Sequence, residues 1–186
     1  FVTGETPFVE GRGFAGLTEY RSSKPIIAAV EGYALAGGFE LAISCDMIVA
    51  ADDAMFGIPE VKRGLAAAAG GLVKLPRQIP SRIAMELALT GDFISSQRAY
   101  ELGLINQVVA SGTALDAAKA LAAKIAANGP LAVAASLKAV SSAQDWSTDE
   151  MFVKQAEIVN PVFTSKDAIE GATAFAEKRA PNWQGK

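Results

Sequence analysis

Histidine is absent from all 186 residues. That absence excludes a Ser-His-Asp triad, a Cys-His pair and any imidazole metal ligand. Cysteine is nearly absent: Cys45 stands alone, which removes intrachain disulfides and thiolate metal clusters and points to a reducing, cytoplasmic setting. Positive charge is not in excess either, with 17 basic side chains against 20 acidic ones, so nothing draws the chain electrostatically to nucleic acid. Glu31, Glu40, Asp46 and Asp52 interrupt the apolar stretches, and none reaches the roughly 18–20 residues that a membrane span needs. The opening Phe1-Val2-Thr3-Gly4-Glu5 has no basic n-region, unlike a signal peptide. With hydrophobic residues at 51% and charged ones at 20%, the composition is that of a packed domain rather than a disordered one. Acid–base chemistry must fall to Asp, Glu, Lys, Tyr or the backbone.

The order of elements suggests an α/β fold. Residues 1–23 read as a Gly-rich loop with a short amphipathic segment over 14–20. Pro25-Ile26-Ile27-Ala28-Ala29-Val30 is a compact apolar run, which predicts a strand buried on both faces. Gly37-Gly38 then opens a short apolar helix over 39–45, followed by strands over 47–51 and 54–57. Strand, helix and strand in quick succession imply parallel pairing. Helices are expected over 66–75 with Pro76 as the stop, over 82–89 with Ser81 as cap, and from Ser95 or Ser96 to residue 102. A strand over 104–109 precedes a helical tail: 115–127, 131–143, 148–159 and 167–179. Ser147-Thr148-Asp149-Glu150 has the pattern of a capping box. A break near Asn128-Gly129-Pro130 divides a mixed core, 1–127, from a helical region, 128–186.

Two carboxylates stand out. Glu40 is the only charged side chain from Tyr33 through Cys45, so it either faces solvent or is buried at a cost that needs a partner. The ordinary alternative is one polar position on a helix that is otherwise core. Gly37 and Gly38 ahead of it let the backbone approach a ligand closely, and the first N–H groups of a helix are free donors for a developing oxyanion. As a phosphate loop the motif is weak, because no Lys-Ser/Thr follows. Glu60 follows a strand and Pro59, at the strand's C-terminal end where sites in α/β sheets collect; alone it is an ordinary loop carboxylate. Converging on one water molecule, the two would supply the acid and the base that histidine cannot. Cys45 reads as a small buried hydrophobe, Trp146 and Trp183 as packing or interface residues, and Asp46 as a buttress after the helix.

Lys24-Pro25-Ile26-Ile27-Ala28-Ala29-Val30-Glu31-Gly32-Tyr33-Ala34 followed by Gly37-Gly38-Phe39-Glu40-Leu41 resembles the signature of the crotonase family, the enoyl-CoA hydratases and isomerases. The likeness continues in order through Cys45-Asp46, Phe56-Gly57-Ile58-Pro59-Glu60, Gly70-Gly71, Leu89-Thr90-Gly91 and Glu170-Gly171 to Ala174-Phe175-Ala176-Glu177-Lys178-Arg179. It implies repeated ββα units in a spiral core with a C-terminal helical trimerisation region, and assembly as a homotrimer or hexamer. It also implies an acyl-CoA substrate, with coenzyme A arriving as part of it and neither metal nor redox cofactor involved. Glu40 and Glu60 match the two glutamates that hydratases place around the added water. Gly37 matches the glycine whose N–H is one oxyanion donor, and Gly38, Pro59 and Ala68 fall around the substrate. Phe175 and Lys178 match a region that can help hold the CoA nucleotide of a neighbouring subunit. Both acids together favour hydration; isomerisation, dehydration of a bulky acyl-CoA, or a non-catalytic assembly module are the alternatives. The chain departs from hydratases in having Ala66-Ala67-Ala68-Ala69 where proline and glycine are usual, Leu72-Val73-Lys74 where Thr-Gln-Arg is usual, and Phe39 where smaller residues are common. It opens at Phe1, just after the place where the family's leading strands and second oxyanion donor are expected.

Overall fold

The computed structural model describes residues 7–186. These form two compact units: residues up to Ser22 together with Ile26–Ala120, and Ser23–Pro25 together with Leu121–Lys186.

The first unit begins with a small antiparallel pair, β1 (Phe8–Val9) and β2 (Gly13–Phe14). The amphipathic segment over 14–20 starts at the end of β2 and continues as turns over 15–19. Then come β3 (Ile27–Val30), β4 (Tyr33–Leu35) and α1 (Gly37–Ala42), and the pattern repeats as β5 (Met47–Ala51), β6 (Met55–Gly57), a 3-10 turn over Pro59–Arg63 and α2 (Gly71–Gln78). In each repeat the first strand joins one sheet and the second strand the other: β3 lies parallel to β5, and β4 parallel to β6. This is the ββα repeat that the resemblance implies. After α3 (Ser81–Thr90), β7 (Ile94–Ser95) adds antiparallel to β6; after α4 (Ser96–Glu101), β8 (Gln107–Val109) adds parallel to β5.

The central strand β5 explains why its sequence is uniformly apolar. Ile48, Val49, Ala50 and Ala51 are buried with strands on either side, the environment of a parallel strand covered on both faces. The same reading applied to β3 is corrected by the structure. Among the described residues β3 lies at the edge of its sheet, half-buried with Ala29 exposed, because β5 alone pairs with it there. Phe39 from α1 and Phe56 from β6 meet in the core with ring centroids 5.6 Å apart, and Ile43, Ile58 and Leu75 close around them. Asp46 ties the end of the α1 turn to the sheet, its Oδ2 accepting from the Ile26 N–H at 2.7 Å.

The boundaries that sequence misjudged have local causes. Residues 66–69 are not helical; α2 starts at Gly71, after Gly70 takes φ +111°, a conformation in which a side chain would be strained. Pro76, expected to stop this helix, lies inside it. There its missing N–H leaves the Leu72 carbonyl without the usual helix donor, and Leu72 is an exposed residue. Ser81 is the first helical residue of α3 and makes no cap, the flanking position being Pro80. Ser95 does cap α4, its Oγ accepting from the Arg98 N–H at 3.1 Å.

The division between units falls inside α5 (Ala114–Ala126), earlier than the break read at 127/128. The second unit is helical, with α6 (Pro130–Ser142), α7 (Met151–Phe163) and α8 (Lys166–Ala176). The capping box is half formed: the Glu150 carboxylate takes the Ser147 backbone N–H, but Ser147 Oγ donates to Glu150 Oε2 at 2.7 Å instead of accepting from the backbone, and α7 starts only at Met151. Trp183 is a packing residue. Its Nε1–H donates to the Ala127 carbonyl at 2.8 Å, and its ring lies so close to Gly171 that a Cβ there would approach within 3.2 Å.

Candidate active site

Glu40 is placed by the shortness of α1. Ala36, with φ +52°, turns the chain out of β4, and its N–H is held by the Gly57 carbonyl of the neighbouring strand at 2.9 Å. One turn later Glu40 projects inward and is 3% exposed. Its carboxylate is not left unpaired. Oε1 accepts from the Ala69 N–H and the Gly71 N–H, both at 2.8 Å. This explains why residues 66–69 are not helical despite four alanines in a row: the backbone donors that would enter a helix are turned onto a carboxylate. Charge-assisted bonds of this kind are among the stronger ones. The fit is tight, since a Cβ on Gly71 would lie 3.1 Å from Glu40 Oε1 and 3.3 Å from Ile58 Cγ2. Gly70 and Gly71 thus have a physical role that sequence spacing did not reveal; only the Gly-Gly pair hinted at it.

Glu60 has the opposite surroundings. It sits in the 3-10 turn directly after Pro59, the proline occupying the first helical position where its missing N–H costs nothing. The side chain is half-buried, yet Oε2 is out of contact with solvent and has no hydrogen-bond partner. Burial pushes the Glu60 carboxyl above its ordinary value, and the negative charge of Glu40 pushes it the same way; a bond from its own backbone acts against both. The charge of Glu40 therefore reaches Glu60 although the two come from different ββα repeats.

The remaining expected positions fall as follows. Gly37 opens α1 and is covered on one side by the Phe14 ring, which a Cβ at that position would meet at 2.7 Å. Gly38 is exposed, with open space where a Cβ would go, and Ala68 is exposed next to the buried Ala69. Phe175, on α8, and Lys178, just beyond it, are exposed residues of the second unit. Their neighbour Arg179 forks onto Glu170 at 2.6 and 3.0 Å and holds that carboxyl down to about 2. Burial, followed by the charge of Asp46, raises the Cys45 thiol above its usual value, which keeps it in its less reactive form. Among the described residues no group of three His, Cys, Asp or Glu side chains is arranged to hold a metal ion.

One residue of this region went unrecognised in the sequence as a structural participant. Lys74 of α2 turns inward and donates to the Thr18 carbonyl and, at 2.7 Å, to Ser44 Oγ. A lysine inside an apolar stretch was the available signal.

Comparison with known proteins gives a consistent result. The profile of the family described as enoyl-CoA hydratase/isomerase matches residues 14–186. A carnitinyl-CoA dehydratase of Proteus mirabilis is 41% identical over 190 residues, an alignment that covers 98% of this chain and 73% of that protein. Among solved structures, an enoyl-CoA hydratase from Mycobacterium marinum superposes with a TM-score of 0.97 at 60% identity, covering 100% of this chain and 73% of that one. An enoyl-CoA hydratase from Mycobacterium tuberculosis does so with the same TM-score at 61% identity and the same coverage.

Proposed function

The chain belongs to the enoyl-CoA hydratase/isomerase family, and on that premise we propose that it adds water across the 2,3 double bond of a trans-2-enoyl-CoA thioester. The observation that carries this reading is the unequal pair of glutamates. Glu40, held at one oxygen by two backbone donors, orients the water and takes its proton as the oxygen bonds to C3. The π electrons move onto the thioester carbonyl, and the oxyanion there is met by the Gly37 N–H. Glu60, whose carboxyl is raised toward the protonated form, gives its proton to C2. The net change is H and OH added to the alkene, and exchange with solvent resets both carboxyls. A single oxyanion donor contributes roughly 2.7–4 kcal/mol to such a step, and a positioned acid or base about 10²–10⁴ in rate.

The wider site follows the same reading. Gly38, Pro59 and Ala68 line the substrate, and Phe175 and Lys178 help hold the CoA nucleotide of a neighbouring subunit, with no metal or redox cofactor in the reaction. The chain assembles as a trimer or hexamer through its C-terminal helices. Exposed Phe152, Phe163, Ile169 and Phe175, on α7 and α8, support that assembly. A second reading, removal of water from a 3-hydroxyacyl-CoA with a bulky acyl group, is favoured by the carnitinyl-CoA dehydratase relatives. It uses the same two carboxylates in reverse.

The test is the conjugated enoyl-thioester absorbance, followed with a panel of trans-2-enoyl-CoA and 3-hydroxyacyl-CoA substrates of different chain bulk. Loss of absorbance with the enoyl substrates, slowed about 10²–10⁴-fold by Glu60→Gln, is expected. Full turnover in Glu60→Gln contradicts the role given to that residue; absorbance that grows only from bulky 3-hydroxyacyl substrates selects the second reading.

A further inference from the structure

Lys74 makes a three-way junction that the reaction described above does not use. Its ammonium has three N–H donors and no acceptor. One goes to the Thr18 carbonyl and one to Ser44 Oγ. The Ser44 hydroxyl donates in turn to the Glu40 backbone carbonyl at 2.6 Å. That carbonyl needs a donor because the chain tightens at the end of α1: the Ser44 N–H bonds to Leu41 rather than to Glu40. The other arm leads to the turn after β2. Thr18, a fully buried residue, accepts the Phe14 N–H on its Oγ1 at 2.8 Å, and the Phe14 ring covers Gly37. Lys74 itself rides on α2, whose first residue, Gly71, donates to Glu40 Oε1. One side chain thus links the helix that carries Glu40, the helix whose N-terminus grips its carboxylate, and the turn that packs on Gly37.

We propose that Lys74 is a positioning residue: it staples α2 to α1 and to the 13–19 turn, and so holds the Ala69 and Gly71 amides on Glu40 and the Phe14 ring on Gly37. The catalytic half of this statement rests on the hydratase reading; the mechanical half does not. Burial lowers the proton affinity of the amine, while Cys45, Glu19 and Glu40 raise it and Arg21 lowers it further. An arginine would keep the charge and offer N–H donors to both acceptors from a planar fork, and a methionine would fill similar volume with none.

The experiment compares the unsubstituted chain with Lys74→Met, Lys74→Arg and Ser44→Ala, by amide hydrogen exchange and by enoyl-CoA hydration kinetics. In Lys74→Met the Ala69 and Gly71 amides are expected to exchange about tenfold faster or more, as a local opening would allow, and Lys74→Arg is expected to restore most of their protection. Turnover is expected to follow with kcat down about 10- to 100-fold, the scale of a small misplacement, and KM changed less than about threefold. Ser44→Ala removes only the arm to α1 and makes the same comparison should Lys74→Met not fold. Unchanged protection of Ala69 and Gly71 in both Lys74→Met and Ser44→Ala overturns the proposal. So does an arginine variant as defective as the methionine one. Absence of turnover in the unsubstituted chain counts against the hydratase reading and leaves amide exchange to judge the lysine.

Discussion

The junction of α1 with α2 and the 3-10 turn after β6 each carry a glutamate, and they treat it in opposite ways. At the junction, Glu40 is almost fully buried and is held by two backbone donors on one oxygen. In the turn, Glu60 is less buried but keeps one oxygen away from both solvent and any donor. Burial is the greater at Glu40, yet its oxygen has two donors while the buried oxygen of Glu60 has none, so desolvation is compensated at the first and uncompensated at the second. One region thus fixes where a carboxylate points, and the other sets how readily a carboxylate holds its proton. Acid–base catalysis without histidine needs both kinds of control.

Removing each carboxylate should therefore move stability in opposite directions. Glu40→Ala leaves the Ala69 and Gly71 N–H groups buried without an acceptor, and stability at neutral pH should fall by about 2–4 kcal/mol. Urea unfolding checks this, and an unchanged midpoint would mean that the two amide bonds contribute nothing net. Glu60→Gln should be a smaller effect of the other sign. The folded state raises the Glu60 carboxyl, so it favours the protonated form. The stability tied to that form is fully present below the unfolded value and is lost as pH rises through the folded one. Gln, which cannot ionise, escapes the loss. Its advantage should be about 1 kcal/mol or less at neutral pH, since the side chain is half-exposed and solvent screens it. It should vanish by about pH 4. Thermal unfolding at several pH values reads this, and an advantage that grew on acidification would have the wrong sign.

Much of this comparison was legible in the residues, but unevenly. The lone charge of Glu40 within an apolar run left solvent exposure and compensated burial both open, and the structure takes the second; the apolar continuity of Met47–Ala51 announced a buried strand. The register of β3 at an edge was not legible, because an apolar run looks alike whether one neighbour or two will pair with it. Helix was expected over 66–69 because alanine favours it; the structure instead turns the Ala69 and Gly71 amides onto Glu40, a long-range demand that local propensity does not carry. Ser147-Thr148-Asp149-Glu150 lost the serine half of its capping box for a local reason, since the two side chains bond each other at 2.7 Å. Lys74 was invisible as a junction because its two partners, Ser44 and Thr18, lie 30 and 56 residues away.

The central claim is that burial and the charge of Glu40 jointly raise the Glu60 carboxyl. It is tested most directly by NMR titration of the Glu60 side-chain carbon in the unsubstituted chain and in Glu40→Gln. The account predicts a midpoint above 4.5 in the unsubstituted chain. In Glu40→Gln the midpoint should move down without returning to that value, because burial is the larger cause. A Glu60 midpoint at or below 4.5, or one that Glu40→Gln leaves in place, would contradict it.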